Sequence, residues 1–350
     1  MTLNTALLQR GLRRLIGGRL ADFHALAVES WDLCPEEDAE GRPAIFPPGA
    51  IERVSRLSPW RDWDVEQSLI AGAPGRHSAT RAHVFTHAVL AGACLYCGRG
   101  TLRIGHGPQR ILDPDLPRRQ RIAEAHLVAS WTGADFFGNF LLDTFPLEMI
   151  PPEGAVRLGA RSKAYGHAAG YRTLLDLPAP DLPDHARVDR LILYSDFAQN
   201  SFKAARYRTL RARMRQAVGS ARAPAGVFLR RGTDGERREL VNEAALIDLL
   251  TTQGFDSLDL NRLDASEIAR RSLDARIVVG VEGSHLSHAI YSMADAGAFL
   301  VIQPPDRFAL PYKEFADRMG MTFGFVVAHP AEGGFAVDPD EIRLMLDRLS

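Results

Sequence analysis

The pattern of apolar and polar positions is most regular from about residue 226 onward. Short strand-like segments, of which 276–281 is rich in β-branched residues and 255–260 alternates apolar with polar residues, are followed there by segments with a helical pattern. This alternation predicts strands at 226–231, 255–260, 276–281, 298–303 and 323–328, and helices at 242–253, 264–274, 284–295, 312–320 and from 339. Strands that alternate with helices form parallel sheets covered on both faces. We therefore expect an α/β domain with a parallel sheet of about five strands.

The first 220 residues follow a less regular pattern. Frequent glycines predict a hairpin or meander at 83–104, and apolar runs predict strands at 127–131 and 188–195. Helical patterns are found at 135–149 and 202–218. A chain of 350 residues is long enough for two domains that each bury a core. Because glycine, alanine and proline cluster at 220–225, we expect the domains to span 1–222 and 223–350.

Composition and charge narrow the class of protein. Hydrophobic residues make up 46% of the chain, as in ordinary folded proteins. The formal net charge of −1 does not favour general nucleic-acid binding, which needs clustered positive charge. The three cysteines indicate a reducing compartment, and no apolar run is long enough for a membrane span. We expect a cytoplasmic protein, with peripheral membrane binding through the amphipathic segment 8–19 as a less favoured alternative to packing of that segment on its own domain.

Charged residues concentrate where the first strand of the predicted parallel sheet ends. Arg230 and Arg231 end the strand, Arg237 lies in the following loop, and Asn242 and Glu243 begin the next helix. Ligands of parallel sheets bind beyond the carboxyl ends of the strands, and arginine binds phosphate oxygens bidentately. This pattern favours an anion site, although a solvated loop whose acidic residues pair with its own arginines is an alternative.

A second candidate site follows the strand predicted at 276–281. Gly283 permits a close approach of the backbone, and Ser284 is a favoured residue at a helix N-terminus, where free N–H groups bind anions. The segment therefore suits a diphosphate, although it matches neither the P-loop nor the dinucleotide-binding pattern. His285 and His288 follow Glu282, but this spacing is a weak metal signal, so we expect buried or hydrogen-bonded histidines and no metal ion.

Together these residues resemble glycosyltransferase family 61. The family has an arginine at a strand end, a further arginine, Asn-Glu at the start of the next helix, and a glycine turn between strand and helix. The matching positions are Arg230 or Arg231, Arg237 or Arg238, Asn242, Glu243, Glu282, Gly283, Ser284, His285 and His288. Residues 131–146 are similar to an aromatic and glycine segment of the family. The chain departs from many members at Glu282 and Asn139, where those members carry histidine.

The resemblance implies a GT-B architecture, in which two Rossmann-like domains face a cleft. Residues 1–222 would form the acceptor-side domain and residues 223–350 the donor-binding domain. It also implies an inverting transfer from a nucleotide-diphosphate sugar, expected to be UDP-linked, to a glycan or lipid-linked glycan. No metal ion, other cofactor or nucleic acid would take part. The expected setting is surface polysaccharide synthesis in the bacterial cytoplasm or at the inner membrane.

Each candidate residue has an expected role in this reaction. Arg230, Arg231 and Arg237 would bind the diphosphate, with Asn242, Gly283, Ser284 and His288 also in the donor site and Glu243 orienting an arginine. The candidates for the general base that accepts the acceptor's proton are Glu282, His285 and Asp143, in that order.

Two other functions remain open at this stage. One is a noncatalytic glycan-binding or nucleotide-binding protein that retains the fold, which the departures at Glu282 and Asn139 favour. The other is an α/β metal-dependent hydrolase that uses Glu282, His285 and His288.

Overall fold

The computed structural model describes residues 22–107, 119–220, 223–232 and 238–350, together with the backbone of 2–3 and 112–113. The chain forms two compact units, of which the first comprises 1–36, 78–166 and 177–198 and the second 37–77, 167–176 and 199–350. This division differs from the single boundary expected at residue 222. The difference arises because 37–77, 167–176 and the helix Ser201–Val218 precede residue 222 but pack within the second unit.

A five-stranded parallel sheet lies at the centre of the second unit. We label its strands in chain order as β1 (Gly226–Arg230), β2 (Phe255–Asp259), β3 (Ile277–Val281), β4 (Ala298–Gln303) and β5 (Thr322–Val327). The order across the sheet is β2-β1-β3-β4-β5, and all neighbouring strands are parallel. The predicted α/β domain and its five strands are confirmed.

Helices and small hairpins surround this sheet. Every residue of β3 and β4 is buried, as expected for strands that are covered on both faces. The α-helices are Trp63–Ala71, Ala168–Leu174, Ser201–Val218, Glu243–Thr252, Ala265–Ser272, Lys313–Met319 and Pro339–Leu349. Two 3₁₀-helices, Ile51–Arg53 and Ser284–Ala289, and two strand pairs, Glu37–Ala39 with Gly75–His77 and His329–Ala331 with Gly334–Ala336, complete the described elements of this unit.

The strand order determines where a ligand can bind in the second unit. From β1 the chain moves to one side of the sheet to form β2, and then returns to the other side of β1 to form β3. Connections that leave in opposite directions open a crevice between the carboxyl ends of two adjacent strands. In this sheet those strands are β1 and β3.

The first unit contains a seven-stranded mixed sheet. Across it the strands follow the order Arg157–Leu158, Gln120–Leu127, His185–Ser195, Thr80–Ala91, Cys94–Cys97 and Gly100–Arg103, and Glu29–Cys34 also pairs with Thr80–Ala91. Only the pairings of Gln120–Leu127 with its two neighbours are parallel. A further two-residue pairing joins Thr2–Leu3 to Leu112–Asp113.

The mixed sheet confirms the predicted meander at 83–104 and the strand at 188–195, but it is not the Rossmann-like parallel sheet that the resemblance implies for this region. The physical reason is the short connections. Only two residues separate Thr80–Ala91 from Cys94–Cys97, and two separate Cys94–Cys97 from Gly100–Arg103. Connections of this length join antiparallel strands, whereas parallel strands need a crossover of a dozen or more residues.

The strand predicted at 127–131 was wrong in its bounds, because it ends at Leu127 and the short helix Trp131–Asp135 follows. The helical character predicted at 135–149 is confirmed over three consecutive segments, Phe137–Asn139, the π-helix Phe140–Thr144, and Phe145–Leu147. The helix Trp131–Asp135 packs closely on the π-helix, because a Cβ atom on Gly133 would lie 2.0 Å from Oγ1 of Thr144. This contact requires glycine at position 133.

The amphipathic segment 8–19 lies outside the described residues, so the membrane-surface alternative stays a prediction. Among the helices of the described part, none has the length and apolar character that a membrane crossing needs.

Candidate functional site

The candidate site lies at the carboxyl ends of β1 and β3, on either side of the point where the strand order reverses. Arg230 ends β1 and Arg231 follows it, and Glu282 and Gly283 follow β3. Arg231 and Glu282, which are 51 positions apart in sequence, are thereby brought together by the β1-β3 pairing, in which Leu229 lies opposite Gly280.

Arg230 and Arg231 face different partners. Nε of Arg230 donates to Oε1 of Glu243 at 3.0 Å, and Nη1 lies 3.6 Å from Oδ2 of Asp259 at the end of β2. Nη1 of Arg231 instead approaches the carbonyl oxygen of Glu282 at 3.4 Å, after β3. Consecutive residues at a strand end point to opposite sides, so only Arg231 lies beside the crevice between β1 and β3. The contact between Glu243 and Arg230 is the one expected from the sequence.

Arg238 joins Arg231 at the end of β3. Its Nη1 forms a buried ion pair with Oε2 of Glu282 at 2.6 Å and also donates to the Glu282 carbonyl oxygen. Of the two arginines that match the second family position, the structure therefore places Arg238 in the site, while Arg237 lies outside the described residues. We call Arg231 and Arg238 the guanidinium pair.

Gly283 makes room for the guanidinium pair. A Cβ atom at this position would lie 2.2 Å from Nη1 of Arg231 and 2.8 Å from Nη1 of Arg238. The residue also adopts φ 150°, which favours glycine. The hydroxyl of buried Tyr312 donates to the Gly283 carbonyl oxygen at 3.2 Å, and burial raises the pKa of Tyr312 so that the hydroxyl keeps its proton. Two guanidinium charges thus lie beside one carboxylate, which makes the site attractive to anions.

His285 lies beside the guanidinium pair as a neutral ring. Both ring nitrogens are buried away from solvent. Burial, followed by the positive charges of Arg231 and Arg238, lowers the pKa of His285 to about 3. A group of such low basicity accepts a proton poorly at neutral pH, so the structure disfavours His285 as the general base.

The segment after Gly283 differs from its prediction. The structure shows a six-residue 3₁₀-helix, Ser284–Ala289, with Gly283 at the N-cap position, so both the helix at 284–295 and Ser284 as its N-cap were wrong. Arg211 explains the early end of the helix, because its guanidinium donates to the carbonyl oxygens of Ile290 and Met293. The guanidinium binds carbonyl groups that a continuing helix would use. The contribution expected from a long helix dipole is therefore absent from the site.

Two other expected donor-site residues have structural roles. His288 is buried, its Nδ1 lies 2.8 Å from the Tyr171 hydroxyl, and burial lowers its pKa well below the usual value. The Asn242 amide donates to the Val337 carbonyl oxygen at 2.8 Å and accepts from the Val337 amide at 3.1 Å. Both side chains thus hold distant segments of the second unit together.

The arrangement does not support the metal-dependent hydrolase. Glu282 pairs with Arg238 and His288 bonds to Tyr171, so these residues do not converge with His285 on one point. In the part of the chain that the structure describes, no three His, Cys, Asp or Glu side chains are grouped as metal ligands.

Asp143 lies in the π-helix of the first unit. It is nearly buried, and its Oδ2 accepts a hydrogen bond from Nδ2 of Asn139 at 2.8 Å. The departure at Asn139 therefore falls on a direct partner of a candidate base. Position 139 is one turn before position 143, so sequence spacing could have indicated this contact.

Sequence reasoning missed Tyr312, which fixes the Gly283 carbonyl group. Its only local signal is its position at the start of the helix after β4. The sequence also left the choice between Arg237 and Arg238 open, because both residues lie in the same loop.

Residues 137–299 match the family model described as Glycosyltransferase 61. The matched range begins two residues before Asn139 and extends into β4, so it includes Asp143, the guanidinium pair and Gly283. No curated protein sequence matches the chain.

Proposed function

We propose that the chain, of which residues 137–299 match the Glycosyltransferase 61 family model, transfers a sugar from a nucleotide-diphosphate donor to a glycan acceptor, with inversion and without a metal ion. The observation that carries this proposal is the guanidinium pair against Gly283, at the crevice between β1 and β3. Strand-order reversals of this kind are where α/β sheets bind nucleotides.

The guanidinium pair suits the chemistry of donor cleavage. When the bond between sugar and diphosphate breaks, negative charge increases on the departing diphosphate. Fixed cations that face this charge stabilise the transition state. Arginine remains charged and offers several donors in a plane, so Arg231 and Arg238 can take the place of a divalent cation. Glu282 holds Arg238 in position and Tyr312 holds the Gly283 turn.

The general base is assigned from the surroundings of the other two candidates, Glu282 and His285. Glu282 is engaged by Arg238 in a buried ion pair, and the pKa of His285 is near 3. Both facts make these residues poorer bases than the sequence suggested. We assign the role to Asp143, the remaining candidate, whose carboxylate is oriented by Asn139.

The finer parts of the proposal rest on the family resemblance. The second unit, with its β2-β1-β3-β4-β5 sheet, corresponds to the Rossmann-like donor-binding domain that the resemblance implies. The first unit supplies the acceptor side. The donor is a UDP-sugar, and the reaction belongs to the synthesis of surface polysaccharide in a bacterium, in the cytoplasm or at the inner membrane.

Binding of nucleotides tests this function directly. We expect UDP or a UDP-sugar to raise the melting temperature, because a ligand at a hundredfold excess over its Kd adds about 2.7 kcal/mol to the free energy of unfolding. GDP, CMP and their sugars are the comparison ligands, and Arg231→Ala is the control variant in which the shift should be much smaller. No shift with any nucleotide would remove the donor site.

Hydrolysis of the donor separates an enzyme from a noncatalytic binding protein. A transferase releases some sugar to water when no acceptor is present, so slow nucleotide release is expected from the bound donor. Binding without any release, with and without glycan acceptors, would favour the noncatalytic alternative.

A further inference from the structure

Two aromatic side chains of the first unit form an exposed corner. Trp131 is 44% exposed and Phe136 is 47% exposed, although both are large apolar residues. Their ring centroids are 6.2 Å apart and the ring planes meet at 69°. Neighbouring exposed aromatic rings are uncommon on soluble proteins unless a ligand or partner covers them.

The backbone that carries this corner is held in place by several contacts. Ser130 caps the short helix through the Gly133 amide at 3.1 Å, and Gly133 packs against Thr144. The Lys163 amide donates to the Ala134 carbonyl oxygen at 2.8 Å, and the Tyr165 hydroxyl donates to the Gly133 carbonyl oxygen at 3.2 Å. The two rings are therefore presented by an ordered segment, which reduces the entropy lost when a ligand binds.

A lysine side chain lies beside the two exposed rings. Nζ of Lys163 lies 5.6 Å from the centroid of the Phe136 ring, and no carboxylate among the described residues pairs with it. Trp60 in the second unit provides a contrast. It is 57% exposed and also has a cation over its ring, but that cation, Arg61, is ion-paired with the buried Glu66. Of the two cations, Lys163 remains available to an external anion and Arg61 does not.

We propose that this corner binds an acceptor glycan that carries a carboxylated sugar. The apolar C–H face of a pyranose ring stacks on Trp131, and the sugar carboxylate pairs with Lys163. This inference rests on the proposed function, because that function is what requires a glycan acceptor. A protein partner fits less well, because two rings and one lysine offer far less than the roughly 800 Å² per partner of a stable interface.

The test measures binding of trigalacturonate to the full chain by calorimetric titration. We expect Trp131→Ala and Lys163→Gln each to weaken binding by about tenfold, and Trp60→Ala to leave it unchanged. The methyl ester of trigalacturonate keeps the sugar rings and removes the charge. Its binding should respond to Trp131→Ala but not to Lys163→Gln.

Three results would overturn the proposal. They are no measurable binding of trigalacturonate, equal loss of binding in Trp60→Ala, and full displacement by inorganic phosphate at the same ionic strength, which would indicate a simple anion site. All variants change exposed side chains, so unchanged melting temperatures would show that they fold. The nucleotide-induced shift in melting temperature should also persist in them, which separates failure of this proposal from failure of the donor site.

Discussion

Arg230 and Arg231 follow one another in sequence, but their surroundings predict unequal effects of substitution. Arg230 is paired with Glu243 and Asp259, whereas Arg231 lies beside Gly283 in the crevice. We expect Arg231→Ala to remove a charge-assisted phosphate contact of about 2 kcal/mol, roughly a 30-fold loss of nucleotide affinity. Arg230→Ala should have little effect. Arg231→Lys should recover only part of the loss, because lysine keeps the charge but not the planar fork.

Calorimetric titration with UDP measures the nucleotide affinity of the three variants, and Arg230→Ala is the matched control. Unchanged affinity in Arg231→Ala would take this residue out of the donor site. A larger loss in Arg230→Ala would mean that the ligand lies on the β2 side of β1.

The assignment of the base is tested by comparing Asp143→Asn with Glu282→Gln. Asp143→Asn should lower kcat by about 100-fold or more and leave nucleotide affinity unchanged, as expected for loss of a proton acceptor. Glu282→Gln should instead lower the free energy of unfolding by about 3 kcal/mol, because Arg238 loses its buried charged partner. Steady-state kinetics and urea denaturation measure the two effects. A stable Glu282→Gln protein with intact affinity and a slow reaction would make Glu282 the base.

At the scale of a single element, the 3₁₀-helix Ser284–Ala289 should make the free energy of unfolding depend on pH. It carries His285 and His288, whose pKa values in the folded protein lie below the ordinary value of 6.5 because both are buried. Below pH 6.5 the unfolded chain binds protons at these residues and the folded protein does not. The free energy of unfolding should therefore fall as pH decreases from 6.5, for His285 until about pH 3, and be unaffected by these groups above 6.5.

Each of these histidines should contribute at most about 1.4 kcal/mol per pH unit. Urea denaturation at pH 7.0 and 5.0 measures the difference for the native protein, His285→Asn and His288→Asn. Each substitution should reduce the difference in the free energy of unfolding between pH 7.0 and pH 5.0. Substitution of the exposed His329 by asparagine should leave this difference unchanged. An unchanged difference in both test variants would show that the rings are protonated in the folded protein.

For the whole molecule, we expect activity to persist after removal of divalent cations. In the proposed reaction the guanidinium pair supplies positive charge where the diphosphate departs, so dialysis against EDTA should leave donor hydrolysis and transfer within about twofold of the untreated rate. The melting temperature, measured in parallel, detects any loss of folding. If activity disappears and returns with manganese or magnesium, a metal ion and not the guanidinium pair neutralises the diphosphate.

The sequence by itself determined the parallel sheet of the second unit and the location of its candidate site. Four of the five strands are largely apolar runs and β2 alternates apolar with polar residues, and both patterns depend only on residues that are neighbours in the chain. Since parallel strands bind ligands at their carboxyl ends, the positions of Arg231 and Gly283 followed from the strands. The separation of Arg230 from Arg231 followed from the alternation of side chains along a strand.

Only the tertiary structure decided which partners these residues have. Tyr171 reaches His288 across 117 residues and makes it a core histidine, and Arg211 ends the helix after Gly283 from 79 residues away. The ion pair between Arg238 and Glu282 disfavours Glu282 as a base. It joins the loop that follows β1 to the loop that follows β3. The mixed sheet of the first unit likewise depends on pairing between distant strands, such as Gln120–Leu127 with His185–Ser195. Periodicity and local propensity contain no information about such contacts, because their energy arises only when the folded chain brings the partners together.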